Sequence, residues 1–184
     1  MSGRLVYLVG ASGVGKDSVL AALRSSLGCD ERIVVAHRYI TRPASAGGEN
    51  HIALSDAEFR IRLDTGCFSL HWESHGMHYG IGREIESWLE QGLTVLVNGS
   101  RAYWPEVRSR FPQARLVEIT ASPETLRARL ALRGRESQAD QARRLARTQQ
   151  IDRAAFPADL CIRNEGALGD AVGNLKAWLG RVGA

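Results

Sequence analysis

Nine consecutive residues near the start of the chain, Gly10-Ala11-Ser12-Gly13-Val14-Gly15-Lys16-Asp17-Ser18, bring backbone freedom, a cation and a carboxylate into one short run. The three glycines let the backbone curl so that several N–H groups face inward around an anion. A helix starting here adds the positive end of its dipole, and Lys16 is placed to reach the β- and γ-phosphates of a nucleotide. The chain holds two lysines, Lys16 and Lys176, against 22 arginines. A lysine in this slot therefore points to a need for its slim, flexible stem. All nine residues are expected around the phosphates of a nucleoside triphosphate.

Asp17 stands where such loops carry a hydroxyl for Mg²⁺, and Ser18, one residue on, is turned away by about 100° around the helix. Either Asp17 coordinates Mg²⁺, directly or through water, or the metal rests on phosphates and water. A carboxylate without metal would repel the triphosphate, which favours the first option.

The flanking elements must hold this loop. Leu5 to Val9 reads as a strand and Val19 to Leu27 as a helix, so strand, loop and helix follow in the order a phosphate site requires. Ile33–Ala36, Leu93–Val97, Arg115–Thr120 and Asp159–Arg163 read as further strands. Two of them are nearly all apolar, as in a parallel sheet buried on both faces. Helical spacing covers Arg83–Gln91 (stopped by Gly92), Arg101–Arg110, the stretch from Ser122-Pro123-Glu124 with Leu126 and Leu130 inward, Ser137–Ala155 and Ala167–Leu179. Ser55 to Glu58 forms a capping box, and short strands Cys67–Trp72 and Met77–Tyr79 flank the turn His75-Gly76. Strands alternating with helices predict a parallel sheet covered on both sides.

At 184 residues the chain suits one domain. No apolar run nears the roughly 20 residues that cross a bilayer, and no secretory pattern opens the sequence. Cys29, Cys67 and Cys161 are odd in number and scattered, which argues against a disulfide framework and for a cytoplasmic setting. The net charge of +4 comes without a basic tail or an aromatic stacking set, so no nucleic acid and no membrane partner are expected. The arginines between Arg127 and Arg147 read either as a solvated helix face or as phosphate clamps.

With the loop first and Thr41-Arg42-Pro43 after the second strand, the chain resembles the guanylate kinase-like P-loop family. Trp72 with Gly76 and Tyr79-Gly80, Phe111-Pro112, Ser122-Pro123-Glu124, Arg133-Gly134-Arg135 and Arg144-Leu145 follow in the family's order. The resemblance implies an α/β P-loop nucleotide kinase fold, its parallel sheet flanked by helices. It implies a core of residues 1–40 and 83–184, a small acceptor-binding insertion at about 41–82 and a helical lid at about 133–147. ATP and Mg²⁺ would be the cofactors. Lys16, Arg133 and Arg144 would be catalytic, Arg135 a further ATP contact, and Arg42 and Tyr79 grips on the acceptor's phosphate.

Departures fall where that family reads a base. His71, beside Trp72, stands for a guanine-reading glutamate, Ile81 for a small hydroxyl residue, and Asn98 for an aspartate. Each lost polar partner is worth on the order of 1–3 kcal/mol, so guanine selectivity would be forfeited. Lys16-Asp17-Ser18, His37 to Pro43, Glu49-Asn50-His51 and Val97 to Arg101 resemble instead the branch of the family that phosphorylates ribose 1,5-bisphosphate in phosphonate breakdown. That likeness implies 5-phosphoribosyl 1-diphosphate and ADP as products, with Asn98 and His71 as polar contacts to the phosphosugar. A doubly anionic acceptor calls for extra cations, expected from Arg101 foremost, then Arg38 and Arg83. His51, His71, His75 and His78 read as polar contacts or surface residues rather than zinc ligands. The alternatives are a guanylate or other nucleoside monophosphate kinase, and a non-catalytic guanylate kinase-like binding module, which would need neither Lys16 nor an arginine-bearing lid.

Overall fold

A computed structural model describes residues 3–28, 31–46, 49–133 and 157–183. Its main sheet is parallel, in the order β2-β7-β1-β8-β9, where β1 is Arg4–Gly10, β2 Ile33–Val35, β7 Thr94–Asn98, β8 Arg115–Thr120 and β9 Leu160–Arg163. The central β1 is buried from Leu5 to Val9, and alternation along it feeds two cores. Val6 and Leu8 pack under α1 (Lys16–Ser26) and α6 (Leu168–Gly183). Leu5, Tyr7 and Val9 pack under α3 (Glu84–Glu90) and α4 (Trp104–Arg110) on the other face. A sheet covered on both faces is why these strands read as unbroken apolar runs.

A second sheet of four strands has the order β4-β3-β6-β5, from β3 (Tyr39–Ile40), β4 (Ile52–Ala53), β5 (Phe68–Ser74) and β6 (Met77–Gly82). β5 and β6 pair antiparallel around His75 and Gly76, both at positive φ (54° and 68°), as a two-residue hairpin turn demands. α2 (Asp56–Asp64) starts where Ser55 Oγ accepts from the Glu58 N–H at 3.1 Å, and it buries Phe59 against Phe68. β3 and β4 are two residues each, too short to show a periodicity in sequence. The helix expected from Arg101 begins instead as a 3₁₀ turn (Arg101–Tyr103), and α4 follows with Pro105 in its first turn. Pro105 has no N–H to leave unpaired there. The stretch expected as helix over Ser137–Ala155 lies outside the described residues.

Two features aim the sheet's carboxyl ends. Leu8 is in register with Asn98, so Gly10 and the residues after β7 emerge side by side. The chain then crosses the Tyr7 ring at Gly99, where a Cβ would lie 1.9 Å from Tyr7 Cζ. The Tyr7 hydroxyl donates to Ser100 O at 3.1 Å and accepts from Ser100 N at 3.0 Å, and burial pushes its pKa up, so it stays protonated. This clamp fixes where Asn98 and Arg101 point. Ligands of open parallel sheets bind at this end.

Candidate active site

On the donor side, α1 starts at Gly15, whose φ of 96° is open to glycine and where a Cβ would meet Asn164 Nδ2 at 2.6 Å. Ser12 is exposed at the loop's tip, while Val14 is buried beneath it. Lys16 Nζ folds back onto the loop's own carbonyls, donating to Gly10 O at 2.7 Å and Ala11 O at 3.1 Å. Burial pulls its pKa down from 10.5 to about 8, against the pull of Asp17 in the other direction. An ammonium already ordered this way would meet a phosphate with little further loss of side-chain entropy.

Behind the loop, a cavity of about 350 Å³ is lined by Gly13, Gly15, Ser18, Arg129, Asn164 and Gly166. Asn164 Nδ2 donates to Val14 O at 2.8 Å, and Arg129 Nη1 donates to the same oxygen at 3.2 Å. Ser18 thus faces this cavity rather than the lysine's side, as its offset around the helix requires. Arg129, on α5 (Pro123–Arg133), belongs to the run of arginines between Arg127 and Arg147 that reads as a helix face or as phosphate clamps, with no role of its own assigned there. It lies three residues from the buried Leu126 and so shares that inward face, a signal the sequence does carry. Asn164→Ala removes a buried donor and is expected to cost about 1–3 kcal/mol of stability and to raise the KM for ATP severalfold. Denaturant unfolding and initial rates check both.

On the other side of Lys16, Asp17 Oδ1 accepts from Asn98 Nδ2 at 2.7 Å and lies 3.7 Å from Arg38 Nη2. Burial first, then the charge of Glu49, raise the Asp17 carboxyl above its ordinary value, while Arg38 and Lys16 oppose them. Arg38 immediately precedes β3. It donates from Nε to Glu49 Oε1 at 2.5 Å and from Nη2 to the other oxygen, and its guanidinium carbon lies 5.2 Å from the Tyr79 ring centre. Tyr79 stacks on Trp72, with centroids 5.4 Å apart and planes 2° from parallel. Arg42 Nη2 is 3.7 Å from Glu49 Oε2 and 3.3 Å from His51 Nδ1. The ring Nε2 of His51 in turn meets Arg42 O at 3.1 Å. Lys16, Asp17, Asn98, Arg38, Arg42 and Tyr79 therefore meet around one space between the two sheets.

Several expected contacts fall elsewhere. His71 is exposed, because alternation along β5 turns it to the face opposite Trp72 and Tyr79; Leu70, which is buried, takes the inward place. Ile81 is fully buried beside Leu70 and Trp72, so the wall under Tyr79 is apolar. Arg38, expected behind Arg101, lies at the centre of the cluster, its side chain 12% exposed. Arg101 instead closes an ion pair with Glu118 on β8, near enough to Lys16 for its charge to bear on that amine. Arg83 is exposed and pairs with Glu86 three residues on, away from the site. His78 stacks on Phe59, and among the described residues no group of three or more potential ligands could hold a metal on its own. The Arg133 side chain, Arg135 and Arg144 lie outside the described residues. Glu49 and Glu118 were given no role by the sequence, although Glu118 interrupts an otherwise apolar strand.

With this geometry in view, the chain is similar to known proteins along most of its length. A profile described as an AAA domain matches residues 6–151. A protein of Chromobacterium violaceum named ribose 1,5-bisphosphate phosphokinase PhnN is 50% identical over 179 residues, covering 97% of this chain and 94% of that one. The chain belongs to the ribose 1,5-bisphosphate phosphokinase family. Another family member, from Laribacter hongkongensis, is 51% identical over 178 residues, and the chain spans 43% of its length. A third, from Pantoea vagans, is 48% identical over 96% of this chain and 97% of its own. Among solved structures, a guanylate kinase from Anaplasma phagocytophilum superposes with a TM-score of 0.72 at 20% identity, covering 98% of this chain and 86% of that one. The family member described here thus has the guanylate kinase-like P-loop fold.

Proposed function

We propose that the chain transfers the γ-phosphoryl group of ATP to the 1-phosphate of ribose 1,5-bisphosphate, giving 5-phosphoribosyl 1-diphosphate and ADP in phosphonate degradation. One observation carries this reading: Asp17 touches both Asn98 and Arg38, so the lysine loop and the arginine pair of the small sheet share one space. The named activity of relatives about half identical to this chain supports it. So does the apolar wall of Leu70, Trp72 and Ile81, which offers a nucleobase edge no partners.

The nucleophile is an oxygen of the acceptor's phosphate, ionised at neutral pH, so no general base is required. Catalysis is alignment and charge neutralisation during in-line transfer. Lys16 and the loop amides hold the donor, Arg38 and Arg42 hold the acceptor, and Arg133, Arg135 and Arg144 would spread charge over the transferring group. Mg²⁺ fits the oxygens present. Asp17 offers a carboxylate, and Asn98 Oδ1 is buried with no hydrogen-bond partner among the described residues. When bound, the metal would neutralise charge on the β- and γ-phosphates. Asp17→Ala is therefore expected to raise the Mg²⁺ concentration for half-maximal rate about tenfold, the equivalent of 1.4 kcal/mol; an unchanged Mg²⁺ curve removes Asp17 from the metal site. The exposed thiols of Cys67 and Cys161 support a reducing cytoplasm.

The lowered pKa of Lys16 also sets a pH dependence. Lys16, pulled down to about 8, loses its proton across roughly pH 7 to 9 in the free protein, while a bound triphosphate would hold it on. Binding then takes up a proton, so ATP affinity falls as pH rises above about 8, by up to about tenfold per unit. Titrations between pH 7 and 10 in buffers of different ionisation heat would read both the weakening and the proton uptake. An ADP-release assay across ribose 1,5-bisphosphate, GMP, AMP and simple sugar phosphates tests the acceptor. The bisphosphate should be turned over fastest, and equal or faster release with GMP would overturn the assignment.

A further inference from the structure

We propose that Glu49 is a resident carboxylate that occupies the seat of an acceptor phosphate between Arg38 and Arg42 and is displaced when that phosphate arrives. The proposal deepens the reading of this space as the acceptor site and rests on it. Glu49 accepts from two arms of Arg38 at once, Nε and Nη2, the fork that two oxygens of a phosphate would fill. One of the same oxygens lies 3.7 Å from Arg42 Nη2, so two guanidiniums converge on one carboxylate. Their donors still outnumber its acceptors: Arg42 Nε is buried and has no partner among the described residues. A carboxylate brings two oxygens and one charge, whereas a phosphate dianion brings three free oxygens and two charges.

Glu49 is carried by the connection between β3 and β4, not by a strand of either sheet. Its side chain can leave without breaking a ladder. The four charged groups in contact here, Arg38, Arg42, Glu49 and Asp17, sum to zero with Glu49 in place. Moving Glu49 out leaves an excess of positive charge for the incoming anion. The opposing view makes Glu49 a strut that holds the arginines ready, and the two views differ in sign: removing a competitor tightens anion binding, whereas removing a strut weakens it.

Calorimetric titration of the full chain with inorganic phosphate, at fixed ionic strength, reads that sign without turnover. Glu49→Gln is expected to bind phosphate at least tenfold more tightly than the wild type, about 1.4 kcal/mol. Adding Arg42→Ala to that variant should abolish the gain, which assigns the phosphate to the arginine pair rather than to the Lys16 loop. Equal or weaker phosphate binding by a cooperatively melting Glu49→Gln protein overturns the proposal, as does a gain that survives Arg42→Ala. If Glu49→Gln fails to melt cooperatively, Glu49→Ser replaces it with the same expectation. An inactive wild type combined with a tighter variant would sink the choice of ribose 1,5-bisphosphate and leave this proposal standing; an active wild type with no gain does the reverse.

Discussion

Lys16→Ala is expected to lower kcat by about 10²- to 10³-fold, the scale on which removing a preorganised electrostatic donor acts, while leaving the acceptor's KM within about threefold, a difference of less than one kcal/mol. The split follows from position. Lys16 lies inside the loop, bonded to Gly10 and Ala11 carbonyls, and its charge is available to phosphates held there. Arg38 and Arg42 reach from the small sheet across the space and do not contact the loop carbonyls. Steady-state kinetics with ATP and acceptor varied separately measure the two constants. A large rise in the acceptor KM with kcat intact would mean that Lys16 serves the wrong substrate.

Arg38→Ala should act the other way round, raising the acceptor's KM at least about 30-fold. The lost contact is the charged, hydrogen-bonded one from the guanidinium to the acceptor's phosphate, and truncating one partner of such a pair costs on the order of 2–5 kcal/mol of binding. The free protein is destabilised as well, because two groups are stranded at once. Glu49 loses its bidentate partner, and Asp17 and Glu49 are left as neighbouring carboxylates with less cation between them. Arg38→Lys should recover little, because an ammonium cannot make the forked pair or lie flat on Tyr79. Thermal melts separate the loss of stability from the loss of binding. An unchanged KM in a stable Arg38→Ala protein would place the acceptor elsewhere.

What the sequence made legible follows from the range of each interaction. The lysine loop, the Ser55 cap, the His75-Gly76 turn and the unbroken apolar strands are local patterns, and each reappears where its spacing put it. His71, matched through Trp72 to the position where the resembling family reads a base, lies on the exposed face of β5, because a strand's faces alternate. The buried Leu70 lies on the inward face with Trp72. Contacts made by the tertiary fold had no local trace. Asn98 meets Asp17 across 81 positions, and Arg101, which follows β7, turns past β1 to Glu118 on β8, which leaves Arg38 as the cation at the centre. Glu49 is visible as part of a motif, but its role depends on two arginines on either side of the short strand β3, Arg38 before it and Arg42 after it, 11 and 7 positions away.

The most direct measurement is phosphorus NMR of the reaction of this chain with ATP, Mg²⁺ and an equimolar mixture of ribose 1,5-bisphosphate and GMP. The 1-phosphate signal should give way to a diphosphate on C1, the 5-phosphate should persist as a monoester, and one ADP should form for each bisphosphate consumed. Conversion of GMP to GDP while the bisphosphate remains would contradict the assignment of a phosphosugar to the space between Lys16 and the arginine pair.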